Sequence, residues 1–153
     1  MVRKITEASQ LDKITDWMYG WWGRAEGYSY ETVHSCMAHS LNDGGLPQTY
    51  GLYIGDELIG MYQFTYSDLF ARPDIYPWLA NVYIEPRYRN KGYGDILLRS
   101  VKASARDNLS EDRLYLFTCH EGLYEKYGWE YAGEIDTFLR PCRQRLYRLE
   151  LNK

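Results

Sequence analysis

The chain has 153 residues and a mass of 18.1 kDa, enough for one domain with a proper core and too little for two full ones. Hydrophobic residues make up 45% and charged residues 25%, a globular balance that excludes disorder, and no run approaches the ~18 consecutive apolar residues of a membrane span. With 18 Lys and Arg against 21 Asp and Glu the formal charge is −3, and the basic residues are scattered, so neither a nucleic-acid nor a membrane partner is expected.

In chain order, Val2 to Thr6 reads as a strand, and no apolar stretch follows the basic start, so no cleaved secretory signal is expected. Ser9 is expected to cap a helix, with Asp12 as an imperfect capping-box partner. Leu11, Ile14, Trp17, Met18 and Trp21 fall on one side of it at spacings of three and four, and Gly20 and Gly23 end it near Trp22. A second amphipathic helix runs from Tyr30 to Leu41, stopped by Asn42-Asp43-Gly44-Gly45. A hairpin follows, with strands from Thr49 to Ile54 and from Leu58 to Tyr66 around Gly55-Asp56-Glu57. After a loop with Pro73 and Pro77, Trp78 to Ile84 forms a largely apolar central strand that Pro86 ends.

From Gly92 to about Arg106 the period turns helical, with Leu97, Leu98, Val101 and Ala105 as the inward stripe. Arg113 to Thr118 is a strand, Glu121 to Tyr127 a short helix, Trp129 to Ala132 a strand and Arg143 to Leu151 a last strand. The order is that of an α/β protein with a mixed sheet. Cys36, Cys119 and Cys142 offer neither a disulfide framework nor the paired spacing of a zinc site, so reduced thiols, a cytoplasmic location and no metal are expected.

The segment Arg89-Asn90-Lys91-Gly92-Tyr93-Gly94 stands between a buried strand and an amphipathic helix. A helix N-terminus presents unsatisfied main-chain N–H groups and the positive end of the dipole, so it attracts phosphate. Gly92 lacks the Cβ that would hold a diphosphate off those amides, and Arg89 and Lys91 add positive charge at the mouth. Gly94 lies on the inward face, where a missing side chain lets the helix pack close to the sheet. On spacing alone, an ordinary strand-to-helix connection is equally compatible. A Walker A loop is excluded because Lys91 precedes Gly92, and Arg89 stands where a dinucleotide-binding loop has its first glycine.

Val82-Tyr83-Ile84-Glu85-Pro86 together with Arg89 to Gly94 resembles motif A of the GNAT superfamily of acyl-CoA-dependent N-acetyltransferases, in which [Q/R]-x-x-G-x-[G/A] follows a strand. Further along, Leu123-Tyr124-Glu125-Lys126-Tyr127-Gly128-Trp129 resembles the family's motif B, and Asp68-Leu69, Arg72-Pro73-Asp74 and Pro77-Trp78-Leu79-Ala80 resemble a branch of small single-domain bacterial members. The resemblance implies a single GNAT domain over residues 1–153. Its sheet would be mixed, mostly antiparallel and splayed at the central strands, with about four flanking helices. It implies acetyl-CoA as co-substrate, with its pantetheine arm paired to the main chain of Val82 and Ile84 and its pyrophosphate held by Arg89, Asn90, Lys91, Gly92, Tyr93 and Gly94. The N–H of Val82 would polarise the thioester carbonyl, and Tyr124 would be the general acid that protonates the leaving thiolate.

The acceptor implied is a primary amine of a small molecule or peptide, and a homodimer is left open. Some family members place a Glu base on the central strand, where this chain has Trp78, Leu79 and Ala80, so a water chain, Asp68, Asp74 or Glu85 would take the amine proton. Many have an Asn before the motif B tyrosine, where this chain has Thr118-Cys119-His120-Glu121-Gly122. His120 is weighed as a base or as a structural histidine, Cys119 is expected to be a buried thiol, and Trp21 with Trp22 could wall an acceptor cleft or fill the core. The alternatives are a GNAT-fold acyl-CoA sensor or interaction module without turnover and, more remotely, a nucleotide-binding α/β protein.

Overall fold

The alternation of strand-forming and helix-forming runs produces a mixed sheet flanked by helices. The computed structural model describes residues 1–137 and 143–153, so Cys142 lies outside the described residues. The strands are β1 (Val2–Ile5), β2 (Gln48–Ile54), β3 (Glu57–Thr65), β4 (Trp78–Ile84), β5 (Arg113–Thr118), β6 (Glu130–Ile135) and β7 (Gln144–Glu150), in the sheet order β1-β2-β3-β4-β5-β7-β6. Pairing is antiparallel for β1 with β2, β2 with β3, β5 with β7 and β6 with β7, and parallel for β4 with β5. The α-helices are α1 (Leu11–Met18), α2 (Tyr30–Ala38) and α3 (Tyr93–Asn108). The helix expected from Glu121 to Tyr127 is reduced to a 3₁₀ turn, Tyr124–Tyr127, closed by Gly128 at φ +90°. No helix among the described residues is long and apolar enough to cross a membrane.

The chain forms two compact units, and the boundary within β4 falls between Ala80 and Asn81. The first unit comprises Met1–Phe64 and Asn81–Leu97. Its core is built by Leu11, Ile14, Trp17 and Met18 of α1 against Val33 and Met37 of α2 and Met61 of β3, which confirms the apolar stripe of the first helix as far as Met18. The expected cap differs. Ser9 donates its hydroxyl to the Glu7 carboxylate, which also accepts the Ser9 N–H, so Glu7 caps a 3₁₀ turn (Ala8–Gln10) and α1 starts without a side-chain cap.

After Met18 the helix widens into a π turn, Tyr19–Gly23. That widening shifts later side chains off the α-helical stripe, and Trp21, expected on the buried face, is 50% exposed. Gly23 is needed where α2 approaches, because a Cβ there would lie 2.7 Å from Val33 Cγ2. The helix α2, capped by the Ser29 hydroxyl on the Thr32 N–H, ends at Ala38, short of the expected Leu41.

The second unit comprises Thr65–Ala80 and Leu98–Lys153. Within it β7 lies between β5 and β6, with Tyr147 opposite both Leu116 and Tyr131. Trp78, fully buried, is packed with Leu69, Ile75, Ile135 and Leu146, and its ring meets Tyr115 and Phe117. The start of β4 pairs with β5 at Trp78↔Tyr115, and the Tyr115 N–H donates to Pro77 O at 3.0 Å.

Candidate functional site

In the first unit, the outer half of β4 leads into the glycine turn. The Glu85 N–H donates to Ile59 O of β3 at 2.8 Å. Successive peptide groups of a strand point to opposite edges, so the N–H and C=O groups of Val82 and Ile84 point to the edge of β4 away from β3. Both residues are half-buried. The strand changes direction just before them, because Asn81 is left-handed at φ +53°. Sequence reasoning passed over Asn81; the available signal was a lone asparagine in the apolar run Trp78 to Ile84, since this residue is poor in strands and tolerant of left-handed backbone.

Pro86–Tyr88 forms a 3₁₀ turn, after which Asn90 (φ +62°) and Gly92 (φ +88°) are both left-handed. The helix ladder of α3 opens with the Ile96 N–H donating to Gly92 O at 3.4 Å. The N–H groups of Tyr93 and Gly94 precede that bond and are not used by the ladder. A Cβ built at Gly92 or at Gly94 would meet nothing within 4 Å. For Gly94 this corrects the expected close helix–sheet packing: the space over it is open, and it leaves the main chain approachable instead.

Arg89 differs from expectation too. Its Nε donates to Ile84 O at 2.8 Å and its guanidinium lies 5.1 Å over the Tyr83 ring, so it folds back and ties the turn to β4. Lys91 and Asn90 are exposed. Tyr93 packs its ring edge-on against Tyr88, so what it can offer a ligand is its main chain. The Tyr83 ring meets Trp17 and Trp21 at tilted angles, 5.3 and 5.6 Å away, whereas Trp22 meets Tyr28 edge-on. The two tryptophans therefore do not form one wall.

In the second unit, Tyr124 opens its 3₁₀ turn and is 8% exposed, with Trp129 and Tyr147 at 6.2 Å. Burial, aided by the nearby Cys119, pushes its phenol up to about 12. The turn is fixed to β7, since Tyr147 Oη donates to Glu125 Oε2 at 3.0 Å and itself accepts from Arg145 Nε at 2.9 Å. Cys119, expected to be a buried thiol, is exposed, because it lies past the end of β5. His120 is also exposed, and its main-chain N–H donates to Thr118 Oγ1 at 3.2 Å.

Among the base candidates, Asp74 accepts two bonds from Arg72, at 2.9 and 2.8 Å, which hold its carboxyl below the ordinary range. A carboxylate so paired is a weak base. Glu85 is paired with Arg87 at 3.0 Å and Lys13 at 3.8 Å. Asp68 lies exposed in the loop before β4.

The model of the acetyltransferase (GNAT) family matches residues 11–129. The chain belongs to that family. No curated protein matches it by sequence.

Among solved structures, an aminoglycoside 6'-N-acetyltransferase complexed with coenzyme A is 14% identical with a TM-score of 0.72, covering 100% of this chain and 98% of its own. A spermidine N-acetyltransferase chimera built in part from Vibrio cholerae is 16% identical with a TM-score of 0.73, covering 99% and 95%. A GNAT acetyltransferase from Elizabethkingia anophelis with acetyl-CoA bound is 19% identical with a TM-score of 0.56, covering 76% and 82%. At these identities the likeness is one of fold.

Proposed function

We propose that this protein transfers an acetyl group from acetyl-CoA directly to a primary amine of a small molecule or peptide. The observation that carries this reading is the turn between β4 and α3. Its left-handed Asn90 and Gly92, with open space over Gly92 and Gly94, fit a diphosphate laid against main-chain N–H groups, in a chain that belongs to an acetyltransferase family. Lys91 supplies the nearby positive charge, and Arg89 holds the turn to its strand. Val82 and Ile84, whose polar groups point away from β3, would pair with the pantetheine arm.

In the proposed reaction the amine nitrogen attacks the thioester carbonyl, whose oxygen accepts from the Val82 N–H as charge develops on it. The carbon–sulfur bond breaks, the amide forms, and the Tyr124 hydroxyl donates to the departing sulfur. The amine proton leaves to water or a carboxylate and the tyrosine is reprotonated, so the products are the amide and the free thiol of CoA. A phenol at about 12 is a far weaker acid than a thiol near 8.5, and complete transfer of its proton to the freed thiolate would be uphill by about 5 kcal/mol. Tyr124 therefore acts as a hydrogen-bond donor to the developing thiolate and gives up its proton only as it regains one.

The turn assignment is checked by titrating acetyl-CoA into Gly92→Glu. Added bulk and negative charge at the diphosphate position should weaken binding by about a hundredfold or more. Equal affinity would take the pyrophosphate away from this turn.

A further inference from the structure

A left-handed residue inside a strand has to be held there, because strand pairing alone favours extended backbone. At Asn81 a buried polar relay holds it. Asn81 Nδ2 donates to Gln63 Oε1 at 2.7 Å. Gln63, on β3 and 1% exposed, donates its Nε2 to Thr49 Oγ1 at 2.9 Å, with a longer contact to Met37 Sδ at 3.6 Å. Thr49, on β2 and fully buried, donates its hydroxyl to the main-chain carbonyl of Ser40 at 2.7 Å. Past the turn, β4 is seated against β3, because a Cβ on Gly60 would lie 2.9 Å from Tyr83 O.

The relay has a direction. A carbonyl can only accept, so Ser40 obliges Thr49 to donate. The Thr49 oxygen is then left as an acceptor, which turns the Gln63 amide NH₂ toward it and the amide oxygen toward residue 81. That residue must be a donor. Glycine tolerates the backbone but supplies none, and an aspartate would set an anion against Gln63 Oε1. Asparagine meets both demands.

We propose that Asn81 is a positioning residue for acetyl-CoA: through Gln63 and Thr49 its amide locks the left-handed turn of β4 and so sets the aim of the next main-chain N–H, that of Val82, at the thioester. This rests on the acetyl-CoA reading above. The relay leaves the phosphate turn alone, so it should affect ligands that carry the pantetheine arm and spare those that carry only the phosphates.

The test is calorimetric titration of wild type, Asn81→Asp and Gln63→Met with two probes, acetyl-CoA and adenosine 3'-phosphate 5'-diphosphate, which has the phosphates of CoA without the arm. Each substitution should weaken acetyl-CoA about tenfold, the loss of one buried hydrogen bond, and leave the nucleotide fragment unchanged. The double variant should be no worse than either single one. Asn81→Gly, which keeps the backbone conformation accessible, should show a smaller loss of the same selectivity and serves if Asn81→Asp does not fold. Equal weakening of both probes, or unchanged acetyl-CoA affinity in the variants, would overturn the positioning role while leaving the acetyl-CoA reading intact. A wild type that binds neither probe would remove that reading and this inference together.

Discussion

Burial of the Tyr124 phenol separates two roles that its ionisation could otherwise confuse. In the unfolded chain the group titrates near 10, and in the folded protein at about 12. The folded state keeps its proton where the unfolded state has lost it, so the protein loses stability as pH rises from about 10 to 12, by at most about 3 kcal/mol. Below about 10 the group contributes no pH dependence. Wild type should therefore lose more Tm than Tyr124→Phe between about pH 9 and 11, and the wild-type rate should show no descending limb from this residue below about 10. Tyr124→Phe should lower kcat about a hundredfold with acetyl-CoA affinity unchanged, and an unaltered kcat would remove the tyrosine from the chemistry. The tyrosine itself was legible in the motif Leu123 to Trp129. Its burial and the exposure of Cys119 were not, because both depend on where β5 ends and on the rings of Trp129 and Tyr147, which come together only in the folded unit.

At the level of elements, the strands with strong alternation or apolar runs were read with their bounds intact, as in Trp78–Ile84 and Arg113–Thr118. Departures from the reading fell where the backbone leaves regular geometry. Glu7 takes the cap expected of Ser9, the π turn rotates Trp21 outward, and Asn81 bends β4 by means of partners distant in sequence. Gly60 is the steric counterpart of that bend. Gly60→Ala would drive a Cβ into Tyr83 O and Ile84 Cδ1, at 2.9 and 2.7 Å. It should destabilise the protein by about 1–3 kcal/mol in denaturant titration, with acetyl-CoA binding weakened as β4 is displaced. A neutral substitution would mean that the two strands are not held as close as this.

For the whole molecule, the succession of strands and helices was legible because each run carries its own period, and the family emerged from two motifs standing in order. The acceptor was not legible. The side chains around α1 and α2 follow packing demands, such as Val33 against Gly23, and carry no ligand pattern. The net charge of −3 suits a cationic amine without selecting one. The most direct measurement is the appearance of free CoA thiol when the protein is mixed with acetyl-CoA and a panel of polyamines, aminoglycosides and peptides with free amino groups. The account predicts amine-dependent thiol release with at least one acceptor, matched by an equal amount of N-acetylated product and strongly reduced in Tyr124→Phe. Firm acetyl-CoA binding with no thiol release above the protein-free rate for any amine would contradict it.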